Sequence, residues 1–273
     1  MFLKEFFLKL LTHLFLKEKI SKKRFFSGKI IILDDYISNQ IIVHDIYEKK
    51  ECEFIKKYIL KEKFKKKIFV DIGANIGNHS VFFSKHFKKV LSFEPNQRLF
   101  KILNYNTYEY KNINIYNIGL SNYNESKYLY FCSSNFGGGT LIKKNLINCK
   151  TKIIKSKVKL KNLDSVIYAN DSKKIALIKI DAEGFEQNII KGMKNILLRS
   201  SPILLVEINN NHFQSNNLIN ILKKNDYVYF YEMVSSFGIL CKFLSTPLKL
   251  KKLSKFEKKY YSLIVCSKVD IVN

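Results

Sequence analysis

The chain has no tryptophan, and only three prolines and ten glycines in 273 residues. That scarcity leaves no Pro-rich or Gly/Ser-rich linker, so nothing marks a second large domain. Arginine is almost missing too: of 48 basic residues only Arg24, Arg98 and Arg199 are arginine, and the rest are lysine. The planar guanidinium fork is the preferred tool for bidentate contact with phosphates and bases, so its scarcity opposes the nucleic-acid reading that a net charge of +25 invites. An excess of Lys, Asn and Ile is what an AT-rich coding sequence supplies without selection for a ligand, and it fits a bacterial source. The five cysteines, Cys52, Cys132, Cys149, Cys241 and Cys266, form no Cys-x-x-Cys pair and no Cys/His metal spacing. An odd, scattered set suits a reducing cytoplasm.

With 47% hydrophobic residues the chain can bury a full core. Residues 1–28 read as an amphipathic basic helix, with Phe2, Leu3, Phe6, Phe7, Leu10, Leu11, Leu14 and Phe15 interrupted by lysines. Those charges rule out both a secretory signal and a spanning helix of about 20 apolar residues. Two roles stay open for residues 1–26: a peripheral contact with anionic lipid on the inner face of the membrane, or docking on the chain's own domain or a second subunit. Residues 29–50 read as a small β-hairpin ahead of the main domain, which spans 51–273. There, strands alternate with helical stretches, the pattern of right-handed βαβ units and a parallel sheet. Residues 123–163 interrupt the rhythm with two expected strands flanking a turn at Gly137, Gly138 and Gly139.

Two strand ends carry chemistry. "FVDIGANIGNH" sets Asp71 at the end of a strand and Gly73 and Gly77 in the turn before a helix, where glycine lets backbone approach a ligand closely. Against the dinucleotide fingerprint the middle glycine is replaced by Asn75, which disfavours NAD and FAD. Glu94, about 20 residues on in "SFEPN", is placed to accept hydrogen bonds from ribose hydroxyls. A ribose without a pyrophosphate cradle points to S-adenosylmethionine. The second end is "IALIKIDAEGFEQNIIKG", which crowds Asp181, Glu183 and Glu186 onto the mouth of a buried strand. In open α/β sheets that carboxyl edge is where ligands sit. Glu207 ends the next strand, and His212 follows in its loop.

"VDIGANIGNHS", "SFEPN", "NIGLSN", "LDSV", "LIKIDAEGFEQNIIKGM" and "PILLVEI", in this order, resemble the FkbM family of S-adenosylmethionine-dependent methyltransferases. The resemblance implies the class I methyltransferase fold, Rossmann-like: a seven-stranded, mostly parallel sheet with helices on both faces and an antiparallel final hairpin. It implies that Asp71, Gly73, Asn75, Gly77 and Asn78 surround the methionine end of the cofactor. Glu94 and Pro95 hold the ribose, and Gly119, Leu120 and Ser121 border the adenine. Asp181 and Glu183 then lie beside the transferable methyl group, as base or as aligners of an acceptor hydroxyl, with His212 an alternative base. Two adjacent carboxylates equally suit Mg²⁺ held against a sugar diol.

The expected activity is O-methylation of a sugar hydroxyl, in a bacterial surface glycan or its precursor, by a cytoplasmic enzyme. The rival readings are an RNA methyltransferase and a non-catalytic, cofactor-binding scaffold at the membrane.

Overall fold

The structure is a computed structural model and describes residues 31–32, 36–133, 135–209, 215–235, 247–257 and 259–272. The basic leader and His212 lie outside the described residues.

Where a hairpin is expected within 29–50, residues 36–44 are helical instead. Helix α1 spans Tyr36–His44. Its β-branched residues read as strand locally, but Ile37 and Ile41, one helical turn apart, pack with Ile76 and Leu99 above the sheet edge. A second helix, α2, spans Lys49–Phe54 and runs into a π-helical turn at Ile55–Ile59. A short 3₁₀ turn, Glu62–Lys66, leads into the sheet.

Five parallel strands follow the apolar runs: β1 Ile68–Ile72, β2 Lys89–Phe93, β3 Ile113–Tyr116, β8 Ile175–Ile180 and β9 Ile203–Asn209. Helix α3, Asn78–Ser84, and α4, Gln97–Thr107, make the first two crossovers. Short helices α5, Leu163–Val166, and α6, Ala169–Ser172, precede β8. After it come α7, Glu186–Lys191, and α8, Lys194–Arg199, then α9, Ser215–Lys223, beyond β9. The helical stretch after β8 is split in two at Gly192. A Cβ there would stand 2.0 Å from the backbone oxygen of Ser121, so the chain breaks where it crosses that backbone.

Among the described residues the main sheet has eight strands rather than seven, in the order β11-β10-β12-β9-β8-β1-β2-β3. The expected final hairpin, β10 Tyr229–Ser235 against β12 Tyr260–Ser267, is antiparallel, and β11, Leu248–Lys252, adds an edge strand outside β10. Between β1 and β8 the strand order reverses, so the crevice at their carboxyl ends is the topological switch point.

The insertion forms a second sheet, β4-β7-β5-β6, from β4 Gly119–Leu120, β5 Glu125–Cys132, β6 Asn135–Thr140 and β7 Ile153–Lys161. The three glycines expected as a turn lie within strand β6. One face of this sheet joins the core through Leu129, Phe131, Val158 and Leu160. The cysteine reading is also corrected: Cys132, at the end of β5, is disulfide-bonded to Cys149 in the loop before β7. The pairing is spatial, and no local spacing announces it. Among the described residues no helix is long and apolar enough to cross a membrane.

Candidate active site

A cavity of about 200 Å³ opens at the switch point, between the carboxyl ends of β1, β2, β8 and β9 on one side and β6 on the other. Its first half is built by the turns after β1 and β2. Gly73, Asn75 and Gly77 all have positive φ, +78°, +52° and +94°. The N–H groups of Gly73 and Ala74 both donate to the Phe93 carbonyl, 3.0 Å each, which fastens the turn to β2. Glu94 is buried, and each carboxylate oxygen takes one backbone N–H: Asn75 at 2.9 Å and Asn96 at 2.7 Å. Asn96 caps α4 by accepting from the Arg98 N–H. Desolvation pushes the Glu94 pKa up to about 7, against the pull of those two N–H groups. A carboxylate so anchored still has lone pairs for a pair of vicinal hydroxyls. Phe93, Pro95, Leu99, Gly119 and Leu120 line the adjoining wall.

The expected cofactor residues divide. Gly73, Asn75, Glu94, Pro95, Gly119 and Leu120 line the cavity. Four others stand behind it. Asp71 is fully buried and accepts a hydrogen bond from the Ser80 hydroxyl at 2.5 Å. Asn78 brackets the backbone of Tyr47, accepting from its N–H and donating to its carbonyl, 3.0 Å each. Gly77 packs on Leu103, and the Ser121 hydroxyl is turned to Asn122 and Glu125. These residues shape the turn and keep its neighbours in place rather than facing a ligand.

The second half of the cavity is acidic and hydroxylated. Tyr47, Glu48, Asp181, Glu183, Glu207 and Tyr260 meet there from four separate parts of the chain. Glu48 pairs with His79, 3.1 Å from its Nε2. Lys179 is 3% exposed, with Nζ 2.9 Å from Asp181 Oδ2. Burial opposes charge on both groups, yet their attraction outweighs it and keeps Asp181 below the ordinary carboxylate range and Lys179 above the ordinary lysine range. Asp181 also shares a hydrogen bond with Glu207, and burial together with the Asp181 charge raises the Glu207 pKa, so Glu207 is the protonated partner. The Tyr260 hydroxyl donates to Glu207 Oε1. A hydrogen-bonded chain thus runs from the core to the cavity mouth through Lys179, Asp181, Glu207 and Tyr260.

Glu183 differs from its neighbours. Its backbone sits at φ +49°, held there because its carbonyl accepts from Thr140 Oγ1 at 2.9 Å and Asn145 Nδ2 at 3.0 Å. Glu186 Oε1 receives the N–H groups of Ala182 and Gly184, completing the turn. The Glu183 carboxyl makes no hydrogen bond to a described side chain and opens to the cavity. The residue is exposed at the cavity, yet the walls around its carboxyl, then the charges of Asp181 and Glu186, push its pKa up to about 7. Among the described residues no three His, Cys, Asp or Glu side chains gather to hold a metal ion.

Lys179 offers a direct check of this charge balance. Replacing it with methionine leaves the Asp181 charge without its partner, a loss of about 3 kcal/mol, at the low end for a broken buried pair because Asp181 partly faces the cavity. The depressed Asp181 pKa contributes stability above the unfolded-state value and loses it as pH falls through the folded one. The deficit of Lys179→Met, followed by thermal unfolding, should therefore be full at pH 7 and shrink as Asp181 is protonated. A deficit independent of pH would contradict the pairing.

Residues 71–229 match the model of the methyltransferase FkbM domain, more than half of the chain. No curated protein matches the sequence. Similar solved structures include methyltransferase FkbM from Methylobacillus flagellatus, 12% identical, with a TM-score of 0.43 and 91% of this chain covered. This chain spans 59% of that protein's length. An rRNA methylase from Streptococcus thermophilus is 13% identical, TM-score 0.43, covering 80% of this chain and 93% of its own. Precorrin-6y C5,15-methyltransferase from Geobacter metallireducens is 11% identical, TM-score 0.42, covering 81% and 88%.

Proposed function

Because the chain belongs to the FkbM methyltransferase domain family, we propose that it methylates a hydroxyl of a sugar, in a bacterial surface glycan or its precursor. Its cofactor is S-adenosylmethionine, which supplies an electrophilic methyl group. The residues present fit that cofactor: the doubly anchored Glu94 suits a ribose diol, the apolar wall from Phe93 to Leu120 suits an adenine, and the open turn at Gly73 and Asn75 suits a methionine tail.

The observation that carries the choice of a hydroxyl acceptor is the Glu183 carboxyl, open to the cavity and without a hydrogen bond to a described side chain, its pKa pushed up to about 7. An alcohol must give up its proton as the new C–O bond forms, and a base poised near neutral pH is suited to take it. Glu183 accepts that proton at its carboxylate. Asp181 is the poorer base, since Lys179 holds it ionised and weakly basic. Its part is to fix the acceptor beside Tyr260 and Glu207, and good positioning supplies a large share of the rate.

The reading is tested by incubating the protein with methyl-labelled S-adenosylmethionine and a panel of glycans and nucleotide-linked sugars. Label appearing in a glycan as an alkali-stable ether supports it. Label appearing in RNA instead, or none at all despite cofactor binding, would reject it.

A further inference from the structure

The second sheet has a face that the catalytic cavity does not use. Its inner face, through Leu129, lines the cavity and joins the core. On the outer face of β7, alternate positions carry Lys155, Lys157, Lys159 and Lys161, all exposed. At about 6.6 Å between alternate residues, the row is about 20 Å long. The neighbouring strand adds Tyr128 and Tyr130, opposite Lys157 and Lys155, and Ser126 opposite Lys159. Tyr128 is 46% exposed, and Lys155 Nζ lies 5.1 Å from its ring centroid. No acidic residue of β5 or β7 shares this face, since Glu125 points with Leu129 to the other side. None of the four lysines forms an ion pair with a described residue, whereas Lys127, on the inner face, pairs with Glu125 at 3.0 Å.

We infer that this lysine row is a docking track for the acceptor, a linear anionic glycan whose sugar rings lie along Tyr128 and Tyr130 and whose acidic groups meet the lysines. The inference rests on the proposed glycan acceptor and narrows it to an acidic polymer. Three observations favour this occupant. A single file of charges beside aromatic faces suits a chain better than a plane of lipid head groups. The row holds lysine alone, point charges without the bidentate fork that reads phosphates and bases. The cavity mouth is lined by Glu48, Asp181, Glu183 and Glu207. A nucleic acid would bring a phosphate with every unit against the carboxylates of Glu48, Asp181 and Glu183, whereas a glycan charged at intervals can present a neutral hydroxyl there.

The test compares two variants of equal net charge: Lys155, Lys157, Lys159 and Lys161 all changed to Gln, and Lys61, Lys63, Lys65 and Lys66 all changed to Gln. Each is titrated without cofactor against hyaluronate, which carries a carboxylate on every second sugar, poly(U) and vesicles of phosphatidylglycerol. The row variant should bind hyaluronate about tenfold more weakly than the unaltered protein, and the control variant within about threefold of it. Equal losses in both variants would reduce the effect to net charge and overturn the inference. So would a row-dependent preference for poly(U) or for vesicles. S-adenosylhomocysteine affinity, measured on the same samples, reads the methyltransferase assignment separately, because none of the eight lysines lines the cavity.

Discussion

Replacing Glu183 with glutamine is expected to cut turnover by about 10²–10⁴-fold, the usual contribution of a positioned base, while S-adenosylhomocysteine affinity stays within about twofold. Glutamine keeps the size of the side chain and cannot take a proton at neutral pH. The unaltered enzyme should show a second signature. With the Glu183 pKa pushed up to about 7 and the base active when ionised, the rate should rise as pH climbs toward 7 and level off above it. The glutamine variant should lose that inflection. A variant that keeps both its rate and its pH profile would exclude Glu183 as the base and return the role to Asp181 or His212. Asp181→Asn gives the contrast: it should weaken the binding of the acceptor and disturb Lys179, with the inflection kept but moved below pH 7, because the Asp181 charge helps to raise the Glu183 pKa.

The second large effect is structural. Gly73→Ala should lower the melting temperature by about 10 °C and abolish cofactor binding together with it. Gly73 sits at φ +78°, and a Cβ there would stand 1.9 Å from the backbone oxygen of Asp181. Positive φ costs a non-glycine residue about 1–3 kcal/mol. Forcing β1 and β8 apart costs a further 1–3 kcal/mol or so, and at this chain length each kcal/mol is worth roughly 2–4 °C. The backbone displaced is the one carrying both halves of the site, since Asp181 donates its N–H to the Ile72 carbonyl at 3.1 Å. Thermal unfolding followed by circular dichroism, with a cofactor titration on the folded fraction, checks both parts. A melting temperature within about 2 °C of the unaltered protein's would show that the two strand ends are not locked as described.

Much of the fold is legible from local signals. Apolar runs too short for helices gave the parallel strands, and the acid and glycines at their ends gave the switch-point turns. The failures have physical causes. Residues 36–44 are rich in β-branched side chains, so local propensity says strand, but Ile37 and Ile41 are needed on one helical face over Ile76 and Leu99. Gly137 and its neighbours read as a turn because glycine favours turns. In β6 they serve close approach instead: a Cβ on Gly137 would stand 2.9 Å from Asn75 Nδ2. Glycine content alone does not separate these uses.

The cavity was legible where one turn supplies it, and not where distant segments meet. Asn75, Glu94 and Asp181 announce themselves by their place at strand ends. Tyr47 and Glu48 precede the sheet, Tyr260 begins β12, and no spacing joins them to Glu207. Asp71 and Asn78 illustrate the converse. Both stand in the turn motif, but the strand alternation turns Asp71 inward to Ser80, and Asn78 spends both ends of its amide on Tyr47.

The central claim is that the pocket closed by Glu94 holds S-adenosylmethionine. The most direct measurement is calorimetric titration with S-adenosylmethionine and, separately, NAD, using Glu94→Ala as the comparison. The account predicts binding of S-adenosylmethionine alone, weakened roughly 100-fold in the variant as the ribose loses its hydrogen bonds to a buried carboxyl group. No binding, a preference for NAD, or equal affinity in Glu94→Ala would contradict it.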